Sequence, residues 1–591
     1  MTLTCCNTER IAFVPETFGI LIMLPTAEAP ELVFGLCSPI GTKNAKFISM
    51  LRANLLKFGY RSDDFKVTDL MKSVKIEGLT LKDAPIEDRY DTHIAYANRL
   101  RSLTGDNGAL AMLCCSAINA FRQKAGKRYL EGQAYIFDQF KRGEEIQVLR
   151  QTYQKAFVLV SLYSSKENRV KYLSHRISSD HAVSKPTIDH EGEAKKLVKR
   201  DEDEQGEPFG QRLADAFSLA DLFINLDNEQ EAEHTLNRFL SALFGSNKIS
   251  PTRDEYGMYI AKSAALRSLD LSRQVGAAIF SPRGQVQTLG CNEVPKAQGG
   301  TYWSSDADDA RDYTLEGDEN ERIKKAILAD TVRRLNQSGI LPKIENIDEI
   351  VAQVLHESGK KGSPLKEAQL MDLLEFGRII HAEMSAISDA ARSGISIKSS
   401  ILYCTTFPCH MCSKHIVAAG LARVAYIEPY PKSYAEQLHQ DALFVGAGEN
   451  KTDKVQFSPF IGISPLRFRE LFERGRRKND KGFFQEWMEG KPKPIVGYTI
   501  ATYLDSETEK RLRIRDRLRE LQAQGNLQIT ADATPSSALP PQGGLALAEG
   551  APHTSEARPK QPASPGRGSR KPIAARSGSP KSARRINDSD E

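Results

Sequence analysis

The 591-residue chain is poor in tryptophan, with two, and has no apolar run near the ~18 residues a bilayer span needs. Its longest apolar stretch near the start, Ile20 to Leu24, lies between Pro15 and Pro25, and the only early cation, Arg10, sits beside Glu9. A secretory leader begins with a positive region that this start lacks, so neither export nor membrane insertion is expected. The nine cysteines form no disulfide framework: the number is odd, and four fall in the adjacent pairs Cys5-Cys6 and Cys114-Cys115. That usage suits a reducing compartment, and a cytoplasmic location is the expectation. An excess of one charge sign is also missing. The net charge is +5, but residues 551–591 hold nine of the 81 basic residues and four of the 76 acidic ones, leaving 72 of each before them. The body of the protein is neutral and only its end is basic. With 40% hydrophobic and 27% charged residues, the chain reads as globular, and at roughly 100–200 residues per domain it implies about three domains.

Residues 1–29 show no period and receive no assignment. From there to 248, strand-like runs alternate with helical ones: Glu31 to Leu36, a helix from Thr42 to Phe58, Ala134 to Phe137 ending in Asp138, Ala156 to Tyr163, a basic helical stretch Lys166 to Arg176, and Leu222 to Leu226. Such alternation predicts a parallel sheet covered on both faces. The polar stretch Ser178 to Pro208 is expected to be a mobile surface segment or lid.

A second unit spans 249–525. Its first helix, Asp254 to Leu271, carries Met258, Ala261, Ala265 and Leu269 on one face. Strands Val275 to Phe280 and Gln285 to Gly290 follow, joined by Ser281-Pro282-Arg283-Gly284, a four-residue turn with proline second and glycine fourth. Residues 296–374 read as an acidic, helical insertion. Beyond it come a helix His381 to Arg392, a strand Ser400 to Thr405, a helix Cys409 to Ala419, a strand Arg423 to Ile427 and a helix from Ser433. The order predicts a three-layer α/β/α sandwich around a mixed sheet. Charged helical sequence occupies Glu507 to Gln524, and residues 526–591, rich in Pro, Ser, Ala, Gly and Arg, are expected to be a disordered basic tail.

The chemistry concentrates in His381-Ala382-Glu383 and, with 24 residues between Glu383 and Pro408, the run Pro408-Cys409-His410-Met411-Cys412. H-x-E followed by P-C-x-x-C is the signature of the zinc deaminases. Catalytic zinc takes three protein ligands and leaves its fourth position open; the imidazole of His381 and the thiolates of Cys409 and Cys412 supply three. The two cysteines stand one helical turn apart at the start of a helix, whose dipole favours thiolate. Zinc makes water a nucleophile near neutral pH, and Glu383 is read as the proton shuttle: it takes a proton from the water and delivers it to the ring nitrogen and then to the departing amine. The alternative is a closed structural zinc site in which His415, three residues after Cys412, supplies another ligand.

With Arg273-Gln-Val-Gly-Ala277, the strand end Gly290-Cys-Asn292 and Pro295 added, the second unit resembles the deoxycytidylate deaminase branch of the cytidine deaminase superfamily. The resemblance implies that Asn292 contacts the nucleoside sugar, although an asparagine there also closes turns. Arg273 and Lys432 are further candidates for holding substrate. In the N-terminal unit, Gly35-Leu-Cys-Ser-Pro-Ile-Gly41-Thr42-Lys43 stands where a phosphate loop belongs, but five residues rather than four separate the glycines and Thr42 precedes Lys43. Backbone amides at a helix start suit phosphate binding even so, while the departure counts against phosphoryl transfer. Asp138 fits either a magnesium-associated carboxylate or turn chemistry.

A P-loop kinase-like domain followed by a deoxycytidylate deaminase domain resembles the bacterial anti-phage dCTP deaminase family over roughly residues 30–510. That resemblance implies zinc-dependent deamination of dCTP and dCMP to dUTP and dUMP, depleting the pool an infecting phage needs. It also implies a homo-oligomer and, in some members, inhibition by a small non-coding RNA. A rival reading is a nucleic-acid cytidine deaminase acting on RNA or single-stranded DNA, against which the balanced charge of the second unit counts. A third is a nucleotide-responsive sensor with an idle deaminase domain, against which the intact metal-binding set counts.

Overall fold

In the computed structural model, the described residues are 29–181, 190–203, 211–315, 317–356, 368–373, 375–430, 433–448, 453–496 and 500–529. Their strands, in chain order, are β1 (Leu32–Cys37), β2 (Arg61–Lys66), β3 (Val74–Ile76), β4 (Gln133–Asp138), β5 (Phe157–Tyr163), β6 (Leu222–Asn225), β7 (Gly276–Phe280), β8 (Val286–Cys291), β9 (Ile401–Thr406), β10 (Arg423–Glu428), β11 (Leu443–Val445), β12 (Val455–Pro459), β13 (Gly462–Ile463) and β14 (Leu527–Ile529).

The first sheet has the order β13-β6-β5-β1-β4-β2, parallel throughout except at β13. All six residues of β1 are buried, as an uninterrupted apolar run at the centre of a parallel sheet should be. The strand's alternation sorts them between two cores: Val33 and Cys37 pack on one face, Leu32, Phe34 and Leu36 on the other. Four of the expected strands are there within a residue or so. The strand β2, of sequence RSDDFK, was not foreseen; it is an edge strand, and its charged residues suit an exposed position.

The second sheet has the order β11-β12-β10-β9-β7-β8, with β7 antiparallel to both neighbours and the remaining pairs parallel. Along β7, Ala277 and Ile279 face helices Ala382–Arg392 and His410–Ala418, while Ala278 and Phe280 face helix Arg253–Ala265. This is the expected three-layer α/β/α arrangement. Two glycines let the helices close on the sheet: a Cβ at Gly276 would stand 2.0 Å from the Ala261 carbonyl oxygen, and one at Gly290 the same distance from that of Ala382. Helix Arg253–Ala265 ends earlier than its pattern suggests. The chain turns away after Leu266, the Leu269 N–H donates to the buried Glu293 carboxylate at 2.9 Å, and the Leu269 side chain is exposed.

Three expectations about organisation need correction. The chain does not remain with the second sheet to residue 525. Strand β13 pairs with β6, and helix Ile500–Ala523 packs on the first sheet's helices Ile86–Thr104, Ala109–Lys124 and Gly143–Tyr153. Nor does order stop at 526, because β14 pairs antiparallel with β3 and buries Leu527. The supposed lid from 178 to 208 contains helix Glu191–Asp203, whose Ala194, Leu197 and Val198 bury against Ile40, Ile86, Ile94 and Leu173. Three apolar residues at helical spacing within EGEAKKLVKRDED suffice to dock it. The insertion forms helices Glu319–Gln337 and Ile347–His356 around Leu328, Ala329, Val351 and Leu355. Residues 1–28 and 530–591, most of the expected extension and tail, lie outside the described residues. No described helix is long and apolar enough to cross a membrane.

A buried ionic cluster ties the returning helix to the first sheet. The Arg122 guanidinium contacts Glu31 at 2.8 Å and Glu507 at 2.9 Å, with each of the three side chains at most 2% exposed. Tyr135 and Tyr503 donate to the Glu31 carboxylate and Tyr153 to that of Glu507. Removing the cation leaves two buried carboxylates with no opposite charge beside them. Arg122→Met is therefore expected to cost ~3–5 kcal/mol in denaturant unfolding, whereas a loss below about 1 kcal/mol would mean the cluster is not the clasp described here.

Candidate active site

His381 stands at the N-cap of helix Ala382–Arg392, and Cys409 at the N-cap of helix His410–Ala418, where its sulfur accepts the Cys412 N–H at 3.4 Å. The starts of the two helices converge. His381 Nδ1 lies 3.3 Å from the Cys409 sulfur and 3.4 Å from that of Cys412. Among the described residues, these three form the one group of histidine, cysteine or acidic side chains able to hold a metal, with ligand atoms within 4.8 Å of one another. One imidazole and two sulfurs meeting at such distances in a largely buried spot is a donor set that fits zinc.

The same closeness couples the protons of the three side chains. Cys409 is pushed down to about 4, first by its hydrogen bond with Cys412 and then, against burial, by His381. Cys412 is correspondingly pushed up by the same hydrogen bond, so the pair shares a proton drawn toward Cys412. The hydrogen bond to Cys409 raises His381 to about 9 against the cost of burial.

Glu383, on the first turn of the His381 helix, is 4% exposed and does not belong to the three-residue ligand group. Burial raises its pKa, the Cys409 sulfur adds to the rise, and His381 opposes it. Cys404, on β9, was not among the expected residues; burial pushes its thiol well up, and Glu383 adds to the rise. His415 is exposed, which removes the alternative of a closed site that includes it. His410 faces Tyr434 edge-on at 6.0 Å between ring centres.

The expected substrate-holding residues fare differently. Asn292 is buried and its amide is engaged within the chain: Oδ1 accepts from Val275 N at 2.7 Å, and Nδ2 donates to Asp270 Oδ2 at 2.6 Å and to the Arg273 carbonyl at 2.7 Å. This geometry is the turn-closing alternative, fixing the loop before β7. Arg273 is exposed, its guanidinium carbon 5.7 Å from the Tyr430 ring centre. Lys432 lies outside the described residues.

The loop after β1 is elsewhere, on the first sheet. Gly35 is not in that loop: it sits inside β1, where a Cβ would stand 2.8 Å from the Phe140 ring and 3.0 Å from that of Phe157. Its smallness serves packing rather than phosphate approach. Gly41 does belong to the loop, with φ +88° and the Arg169 carbonyl oxygen 2.8 Å from where a Cβ would be. Thr42 Oγ1 donates to the Pro39 carbonyl at 2.8 Å, and Lys43 Nζ lies 5.7 Å from the Tyr172 ring centre. Asp138, at the end of β4, accepts from Asn44 Nδ2 at 2.5 Å; burial raises its pKa, and the Asn44 hydrogen bond opposes the rise.

Residues 251–428 match the cytidine and deoxycytidylate deaminase zinc-binding region. The chain carries a cytidine/deoxycytidylate deaminase domain. Residues 375–484 also match the MafB19-like deaminases. ComE operon protein 2 of Bacillus subtilis (strain 168) is 39% identical over 66 residues, 11% of this chain and 35% of that protein. The deoxycytidylate deaminase of Enterobacteria phage T4 is 44% identical over 54 residues, 9% and 28% of the two chains. The chain thus spans about a third of the length of the curated relatives it matches. Among solved structures, a cyanophage S-TIM5 dCMP deaminase in complex with dCMP and dUMP aligns over 36% of this chain and 98% of its own at 19% identity, with a TM-score of 0.20.

Cys409→Ser and Cys412→Ser are each expected to lose zinc on dialysis, while His415→Ala retains it, as read by elemental analysis of the purified protein. Full zinc retention in either cysteine variant would place the metal elsewhere.

Proposed function

We propose that the second sheet carries a zinc-dependent hydrolytic deaminase that converts deoxycytidine nucleotides, dCMP and dCTP, to the uracil nucleotides and ammonia. The observation that carries this reading is the meeting of His381, Cys409 and Cys412 beside the buried carboxyl of Glu383. The domain match and the phage deoxycytidylate deaminases support the substrate class.

When bound, zinc supplies Lewis acidity that makes water a nucleophile at neutral pH. His381, Cys409 and Cys412 would hold it. Glu383 does the proton work. A carboxyl shifted upward by burial holds a proton more readily than a solvated one and can still release it, which suits a group that must act first as base and then as acid. It takes a proton from the attacking water, passes it to N3 of the cytosine ring, and then serves the amine that leaves as ammonia. Asn292, by holding the loop at 270–275, orients the wall of the site.

By the family resemblance, the proposal extends to depletion of the dCTP pool as a defence against phage, to a homo-oligomer, and to a small inhibitory RNA. A nucleotide site in the N-terminal unit is proposed on a separate observation. Chain order reverses at β1, with β4 on one side and β5 on the other, and open α/β sheets bind ligands at the carboxyl ends of strands at such a point. The loop containing Gly41, Thr42 and Lys43 is at that end, with Asp138 beside it.

With purified protein offered dCMP, dCTP, CTP and single-stranded DNA in parallel, uracil is expected from the deoxynucleotides and not from DNA. Glu383→Gln should keep zinc and lose ~10²–10⁴-fold in ammonia release. An undiminished rate would remove Glu383 from the mechanism, and uracil formed only in DNA would favour the editing alternative.

A further inference from the structure

Helix Glu191–Asp203 places a carboxylate on the loop after β1. Asp201 is 3% exposed, and its Oδ2 accepts the Ile40 backbone N–H at 2.8 Å. Lys141 Nζ, from the segment after β4, donates to the two Asp201 oxygens at 2.8 and 3.2 Å and to the Ser38 carbonyl at 2.9 Å. A backbone amide of the loop and a buried ammonium thus converge on one anion, and that pair of donors is what a phosphoryl oxygen uses. Other cations stand around the same loop. Arg169 Nη1 donates to the Ile40 carbonyl at 3.4 Å, Lys43 and Arg176 flank the Tyr172 ring at 5.7 and 5.8 Å, and Arg89 and Arg176, like Asp201, act electrostatically on Tyr90.

The helix that delivers Asp201 is charged over most of its length and docks through Ala194, Leu197 and Val198, a small apolar contact. A buried ion pair contributes little net stability, since desolvating both charges offsets their attraction. A carboxylate held there by a tether nevertheless competes with any incoming anion at high effective concentration.

We propose that Asp201 is an internal substitute for phosphate: it occupies the anion position of the loop after β1, and the phosphoryl groups of a nucleoside polyphosphate enter only by displacing helix Glu191–Asp203. This rests on the reading of that loop as a nucleotide site. The Ile40 N–H and Lys141 then exchange one anion for another, passing from carboxylate to phosphate. The apparent affinity of the intact protein is lowered by the fraction of molecules in which Asp201 has left.

The test titrates the full chain calorimetrically with inorganic pyrophosphate. Asp201→Asn keeps the side-chain shape and removes the charge, and is expected to bind at least ~10-fold more tightly than wild type. The gain should vanish in the double variant Asp201→Asn/Lys141→Met, which separates this loop from the deaminase site. In wild-type protein saturated with pyrophosphate, amide exchange should rise across 191–203 and stay unchanged across 166–180, a readout that requires no variant to fold. Equal affinities in wild type and Asp201→Asn, a gain that survives in the double variant, or unchanged exchange in the saturated protein would overturn the competition. No binding by any of the proteins would overturn both the competition and the nucleotide-site reading beneath it.

Discussion

Everything at the deaminase site depends on two helix starts being held close enough for an imidazole nitrogen to lie 3.3 and 3.4 Å from two sulfurs. That closeness is a packing result before it is a metal-binding one. Gly290 lets helix Ala382–Arg392 press its Ala382 carbonyl onto β8, and Ala386 and Ala390 continue the contact with little side-chain bulk. Cys409 and Cys412 come to the same place because β9 ends at Thr406 and the chain turns directly into helix His410–Ala418. Interiors are dense enough that one added methyl at such a contact is felt. The sheet therefore sets the distance between the ligands, and the ligands do not need to pull the fold together.

Burial then divides the work among the groups. Glu383 is pushed toward its protonated form by desolvation, while Cys409 is drawn toward thiolate by Cys412 and His381. A carboxyl that holds a proton beside a sulfur, that of Cys409, that gives one up is the division a hydrolytic deaminase needs. It arises from position: Cys412 and His381 flank the Cys409 sulfur, while burial dominates at Glu383.

The cluster of His381, Cys409 and Cys412 beside Glu383 was legible in the sequence because its residues are short-range: His381 with Glu383, Cys409 with Cys412, each pair within one helix start. The central strands were legible for a similar reason, as apolar runs such as LVFGLC and FVLVSLY have few other uses. What escaped was long-range or weakly patterned. The edge strand β2 has too few apolar residues to show a period, and β13 and β14 are too short to announce themselves. The pairing of Arg122 with Glu31 and Glu507 joins positions 91 and 385 residues apart, which no local pattern reveals. Gly35 was misplaced because a glycine before a loop looks alike whether it admits a phosphate or a phenylalanine ring. Asp201 was hidden in a charged run whose docking face is three small or branched residues.

The most direct measurement is the zinc K-edge absorption spectrum of the purified full chain, fitted for the atoms around the metal. Two sulfurs at ~2.3 Å, one nitrogen at ~2.0–2.1 Å and one further light atom are expected, since His381, Cys409 and Cys412 leave one position to solvent or substrate. A shell of four sulfurs, or of protein nitrogens and sulfurs with no position left, would contradict the account. The second sheet would then hold a structural metal, and the buried carboxyl of Glu383 would need another explanation.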